Sequence, residues 1–340
     1  MDHVTAAERE GISTVPFLNR LDSTQLEDWK REALQGRTIL QHLCRSQLTS
    51  SIVEATTRGC DANELGSRES RSPLVLAIAQ SRSPPIELIM TLINHGALID
   101  EPSKHDAVDE MTPLLQALFF GYGEVALKLM ERGADTNLCT SSGEGALHIV
   151  VRRADNASLV HLLEKGANVN MRTPLNSTPL HWAAQLSTIT TASLLLLSGA
   201  TVDVLDFEGS TPLQLAARSF SDKAAPMCQL LVEHGANTFH RDRHLRLPFH
   251  HAVRSSTVAT VDYLAKVSGD LNVVDRFGDT ALHMAAERGH GGTEIICALV
   301  NRHCNISIRN NLGLTPLELA THRLGHQIDQ RSRRLLEGNT

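Results

Sequence analysis

Residues 279–290 read DTALHMAAERGH. Within twelve positions they place Asp279, Thr280, His283, Arg288 and His290: an acid, a hydroxyl, a guanidinium and two imidazoles. Such groups carry proton transfer and nucleophilic chemistry, and histidine is the most frequent general base. The stretch has two readings, a catalytic cluster or a set of structural polar groups. The rest of the chain discriminates between them.

The same words recur. An apolar step into a short helix ends at Leu40, Leu74, Leu114, Leu147, Leu180, Leu213, Phe249, Leu282 and Leu317. The intervals are 34, 40, 33, 33, 33, 36, 33 and 35 residues, the period of a repeat array. A second signature follows about twenty residues later: GCDAN, GALID, GADTN, GANVN, GATVD and GANTF, beginning at Gly59, Gly96, Gly133, Gly166, Gly199 and Gly235. Degenerate versions stand at Gly269 and around Cys304.

One unit can be read physically. Thr or Ser caps a helix, and Pro fits the first turn, where no backbone donor is missed. Stretches such as LHWAA and LQLAA form a short first helix with small residues on one side; ASLVHLL forms a second helix with the larger apolar load. The glycine after it accepts the left-handed conformation that ends a helix. A single pair cannot bury its own apolar faces, whereas stacked neighbours can.

These units resemble the ankyrin repeat family. TPLHWAA (178–184) and TALHMAA (280–286) match its T-P-L-H-x-A pattern, and the resemblance covers about 38–340. It implies an all-α, elongated solenoid of eight to nine helix-turn-helix units with hairpin loops. It also implies that His283 shares one slot with His148, His181 and His250, each bonded to the cap threonine and to loop backbone. Gln214 and Glu318 occupy the same slot, and His290 follows Gly289 in an interhelix turn. On this reading the opening stretch is structural.

Outside the array, STQLEDWKREALQG (23–36) reads as a helix with capping-box spacing from Thr24 to Glu27, so 1–37 is expected to form an N-terminal tail and capping helix. QIDQRSRRLLEG is expected to form the last helix and C-terminal cap of the array spanning 38–340. RSRR (331–334) reads either as a weak nuclear signal or as a solvated helix face. The long interval contains the polar loop EPSKHDAVDE (101–110), and FSDKAAP (220–226) lengthens an interhelix turn.

Composition narrows the function. Net charge is −6, which argues against nucleic acid as the ligand, and aromatics make up 4% of the chain, low for an enzyme that stacks a flat substrate. The six cysteines include no CxxC, as expected of reduced thiols in a cytoplasmic or nuclear protein. Cys44, Cys228 and Cys297 fit small core positions. The longest apolar run, Leu194 to Leu197, is too short for a bilayer, so no membrane association is expected. There is no GxGxxG, Walker A, HExxH or GxSxG motif. Cys297, His303 and Cys304 lack zinc-finger spacing. No metal or cofactor is expected, and no catalytic residue can be named.

The resemblance implies recognition by hairpin tips and by the exposed ends of first helices. Those ends carry Phe119 and Phe120, Arg152 and Arg153, Arg218, Arg254, and Arg288. The tips add Arg172, Arg243, Arg246 and Arg276, with Phe207 and Phe277 beside them. Arginine suits carboxylates through its planar fork. The arginines are either a ridge facing one groove that takes an acidic segment of a protein partner, or long side chains that keep helix ends solvated. Phe119 and Phe120 form an apolar anchor if both are exposed, and core if one turns inward. The expected function is a non-enzymatic interaction module, acting as adaptor, scaffold or inhibitor. The alternatives are a cofactor-free enzyme such as an isomerase or cyclase, with His and acid groups in the groove, or a regulatory subunit of an enzyme on another chain.

Overall fold

The computed structural model describes residues 38–57, 60–65, 71–79, 84–102, 110–255, 257–324 and 328–338. The expected capping helix at 23–36 lies outside the described residues, as does most of the 101–110 loop. The chain divides into two compact units, Met1–Asn168 and Val169–Thr340. Among the described residues every regular element is helical, and one isolated bridge joins Cys139 to Gly145.

Among the described residues the first unit contains four helix pairs. They are α1 (Ile39–Arg45) with α2 (Thr49–Thr57), α3 (Pro73–Ala79) with α4 (Ile86–Asn94), α5 (Pro113–Phe120) with α6 (Gly123–Glu131), and α7 (Ala146–Arg153) with α8 (Asn156–Glu164). First helices pack on first helices and second on second, so the core runs through the stack.

Among the described residues the second unit contains five pairs. They are α9 (Pro179–Leu186) with α10 (Ile189–Leu197), α11 (Pro212–Ala217) with α12 (Ala224–Glu233), α13 (Pro248–Ser255) with α14 (Val258–Val267), α15 (Ala281–Ala286) with α16 (Thr293–Val300), and α17 (Pro316–Leu324) with α18 (Gln330–Leu336). A 3-10 turn over Gly289–Gly292 links α15 to α16. FSDKAAP forms the turn into α12, whose first turn holds Ala224 and Pro226. The expected C-terminal helix is α18, capped by Asp329.

The helix starts follow from sequence. Thr112, Thr178 and Thr211 are extended caps with Pro at the next position. The aligned apolar residues from Leu40 to Leu282 are buried; Leu317, in the last pair, is only half-buried. Each fully buried leucine stabilises the fold by about 1.5–3 kcal/mol relative to exposure. Second helices end where Gly133 and Gly166 take φ near +89° and +84°, a region closed to most residues with a Cβ.

Two polar devices join successive repeats. The first is the histidine slot. His181 Nδ1 accepts the Thr178 N–H at 3.1 Å, while Nε2 faces the Ser210 carbonyl at 3.3 Å. His250 and His283 repeat this, reaching the carbonyls of Val273 and Leu314 at 3.0 Å each. Gln214 does the same with an amide: Oε1 accepts the Thr211 N–H, and Nε2 donates to the Arg246 and His240 carbonyls. Because Nδ1 accepts, Nε2 carries the proton and donates. Burial holds His181 below its ordinary pKa and pushes His250 down to about 4.

The second device uses the last residue of the GADTN-type signature. Asn63, Asn137 and Asn170 each accept a backbone N–H of the next repeat at 2.7–2.8 Å through Oδ1, and donate through Nδ2 to a glycine carbonyl there. Asp100, Asp203 and Asn272 make the accepting bond alone.

Candidate interaction surface

The first helices α11, α13, α15 and α17 are each preceded by a hairpin tip held by one side chain. Oδ1 of Asp206 accepts the N–H groups of Glu208 and Ser210; Asp242, Asp275 and Asn310 do likewise in the next three repeats. These caps aim the residues between them outward. Asp242 also holds His251, Nε2 to Oδ2 at 2.9 Å, with both groups buried. Burial opposes the Asp242 charge, but the His251 bond and the Arg246 and His244 N–H groups outweigh it and hold the carboxyl at about 2.

In the first unit, Phe119 and Phe120 are both exposed, 39% and 42%, so the pair is not core. Their rings meet edge to face at 5.5 Å, and Phe120 stacks on Tyr122 at 5.7 Å. Arg152 lies over the Phe119 ring at 5.8 Å and pairs with Glu144 at 2.8 Å. Arg153 turns back instead: its guanidinium donates to the Phe119 carbonyl at 2.9 Å and fills the space beside Gly121.

In the second unit, Arg218 faces Glu208 at 3.7 Å. Arg288 plays the part of Arg153. It donates to the Val253 carbonyl at 2.7 Å, and burial lowers its pKa. Arg276 lies over Phe277 at 5.2 Å and reaches His244 Nδ1 at 3.2 Å. Arg243 lies over Phe207 at 4.9 Å, Arg172 reaches Asn176 at 3.3 Å, and Arg246 faces Asp275 at 3.5 Å. Arg254 is exposed and has no hydrogen-bond or ion-pair partner among the described residues. Arg254, Phe277 and Arg288 line one cavity of about 700 Å³ within this unit.

The helix pairs, the threonine caps and the histidine slot now meet a family match. The family model described as ankyrin repeats matches in three copies, over residues 147–242, 190–275 and 249–329. Together these span 147–329, more than half of the chain. The chain belongs to the ankyrin repeat family. Ankyrin repeats are generally protein–protein interaction modules.

The ankyrin slot accounts for His283, whose two nitrogens are both taken up by backbone. Cys44, Cys228 and Cys304 are buried, but Cys297 is not the core residue expected. It is half-buried because α16 turns it toward α18, whose Arg331 lies 3.8 Å from its sulfur; Asn301, at the end of α16 itself, lies 3.7 Å from it. Among the described residues no group of three or more His, Cys, Asp and Glu side chains is gathered for a metal, and no helix is long and apolar enough to cross a membrane. Sequence reading passed over the asparagine ladder and the hairpin carboxylates, although both stand at a fixed place in the period.

Proposed function

We propose that this ankyrin chain is a non-enzymatic adaptor, scaffold or inhibitor of the cytoplasm or nucleus. It binds an acidic segment of a protein partner through the exposed ends of its first helices. The single observation that supports this reading is the placement of Arg152, Arg218 and Arg254 at one position of the repeat, all exposed, in a chain of net charge −6. Arg153 in the first unit and Arg288 in the second fix helix ends by bonding to backbone carbonyls, while Phe119 and Phe120 supply aromatic groups in the first unit and Arg276 with Phe277 does so in the second. Arginine and aromatic residues are enriched where interfaces concentrate their binding energy.

Each exposed ion pair contributes only about 0.2–1 kcal/mol, so several act together. Exposed charges are screened beyond roughly 8 Å at physiological ionic strength. The test is capture of a partner from native extract at low salt by the immobilised full chain, followed by a salt gradient. Elution between low and moderately raised salt, with an acidic segment in the eluted protein, is expected. A partner that stays bound through high salt and lacks such a segment overturns the reading.

A further inference from the structure

The arginines at first-helix ends are not equivalent, and hairpin sequence decides the difference. Arg152 has an acid eight residues before it, Glu144, and pairs with it. Arg218 has one ten residues before it, Glu208, and faces it. At those two spacings Arg254 finds Arg246 and His244. Its hairpin offers a cation and an imidazole where the hairpins of Arg152 and Arg218 each offer a carboxylate. The hairpin is also fixed: Asp242 accepts the backbone N–H groups of both His244 and Arg246 and is locked by His251.

The surrounding cavity confirms the imbalance. Four arginines line it, Arg246, Arg254, Arg288 and Arg323, against three carboxylates, Asp275, Asp279 and Glu287. Arg246 is taken by Asp275, Arg323 by Glu287 at 3.3 Å, and Arg288 by the Val253 carbonyl. Asp279 is held by the Asn310 amide at 2.8 Å. Arg254 alone of the four arginines has no partner among the described residues. The apolar part of the lining is of two kinds. Met284 and Leu319 are buried, whereas Phe277 and Leu312 stand 50% and 72% exposed on adjacent hairpin tips. Those tips are joined by the Asn311 N–H to the Phe277 carbonyl at 3.0 Å.

We propose that this cavity is the specificity site of the chain. It takes one Asp or Glu of an extended partner segment on Arg254, and an apolar side chain a few residues away against Phe277 and Leu312. The inference rests on the reading under Proposed function and sharpens it. The partner is read by one carboxylate with an apolar neighbour, not by a long acidic run. A guanidinium without an internal acid loses no existing pair when it binds, whereas Arg152 and Arg218 must exchange one carboxylate for another.

The probe is a panel of fluorescein-labelled octapeptides in a Gly-Ser background. Each carries one Glu and one Phe separated by one to four positions; controls lack either residue. Fluorescence anisotropy with the full chain at low salt is expected to show binding for one spacing and loss of it in both controls. Arg254→Glu is expected to weaken that binding at least about tenfold, and Arg254→Gln in the same direction, while Arg218→Glu weakens it clearly less than Arg254→Glu does. Thermal melts of both Arg254 variants confirm that they fold. The proposal is overturned if no peptide of the panel binds, if the control without Phe binds equally, or if Arg254→Glu and Arg218→Glu weaken binding alike. The last result would leave a distributed acidic interaction standing, so the two readings fail separately.

Discussion

Nε2 of His283 lies 3.0 Å from the carbonyl oxygen of Leu314, thirty-one residues further along the chain. Its Nδ1 accepts the Thr280 N–H at 3.1 Å. One imidazole thereby caps its own helix and closes onto the next repeat. A general base needs a free lone pair facing a substrate, and this ring has none to offer.

The slot predicts a pH dependence. Burial pushes the His250 pKa from 6.5 down to about 4, so the unfolded chain binds a proton there that the folded chain refuses. A depressed pKa gives stability that is present above 6.5 and is lost as pH falls toward 4. The loss is on the order of 3 kcal/mol over that window. His250→Gln is expected to keep the fold at pH 7, because Gln214 already fills this slot with the same bonds. Urea melts at pH 7.0 and 4.5 should show a smaller acid loss in the variant; equal losses refute the assignment.

Below pH 4 a second contribution falls away. Asp242 sits at about 2 in the fold against an ordinary 3.8, so its share of stability is present above 3.8 and is lost as pH falls toward 2. The size is on the order of 2 kcal/mol. Asp242→Asn is expected to flatten the stability profile in that window while lowering stability at pH 7. An unchanged slope refutes it.

Arg288 and Arg254 should separate stability from binding. Arg288→Ala strands the Val253 carbonyl and is expected to destabilise by about 1–2 kcal/mol. Arg254→Ala, exposed and without a partner among the described residues, should stay within about 0.5 kcal/mol. Equilibrium unfolding of the two variants checks this, and equal destabilisation contradicts it.

The asparagine ladder allows a graded test. Asn170→Asp keeps the acceptor for the Thr201 N–H, as Asp203 does for Asn237, and should change stability by under about 0.5 kcal/mol. Asn170→Ala loses both bonds and is expected to cost about 1–2 kcal/mol. Calorimetric melts that rank the two variants the other way contradict the ladder.

The sequence made the array legible because its period, caps and glycines are local signals. Leu180 and Leu282 recur at their places whatever the neighbours do. What Arg153 and Arg288 reach was not legible, since their targets lie 34 and 35 residues back and depend on how one repeat sits on the last. Exposure of Phe119 and Phe120 was hidden because PLLQALFF is apolar nearly throughout and has no face to read. Arg254 stood out only by what its hairpin lacks. Glu144 and Glu208 had to be seen pairing before His244 and Arg246 became informative.

The most direct measurement is the affinity of the captured partner for the full chain and for the variant carrying Arg152→Glu, Arg218→Glu and Arg254→Glu. It is made at low ionic strength after circular dichroism has shown equal helicity. The account predicts binding weakened at least about thirtyfold, three exposed pairs having been lost and reversed. An unchanged dissociation constant would mean that these arginines only solvate the helix ends, and would contradict it.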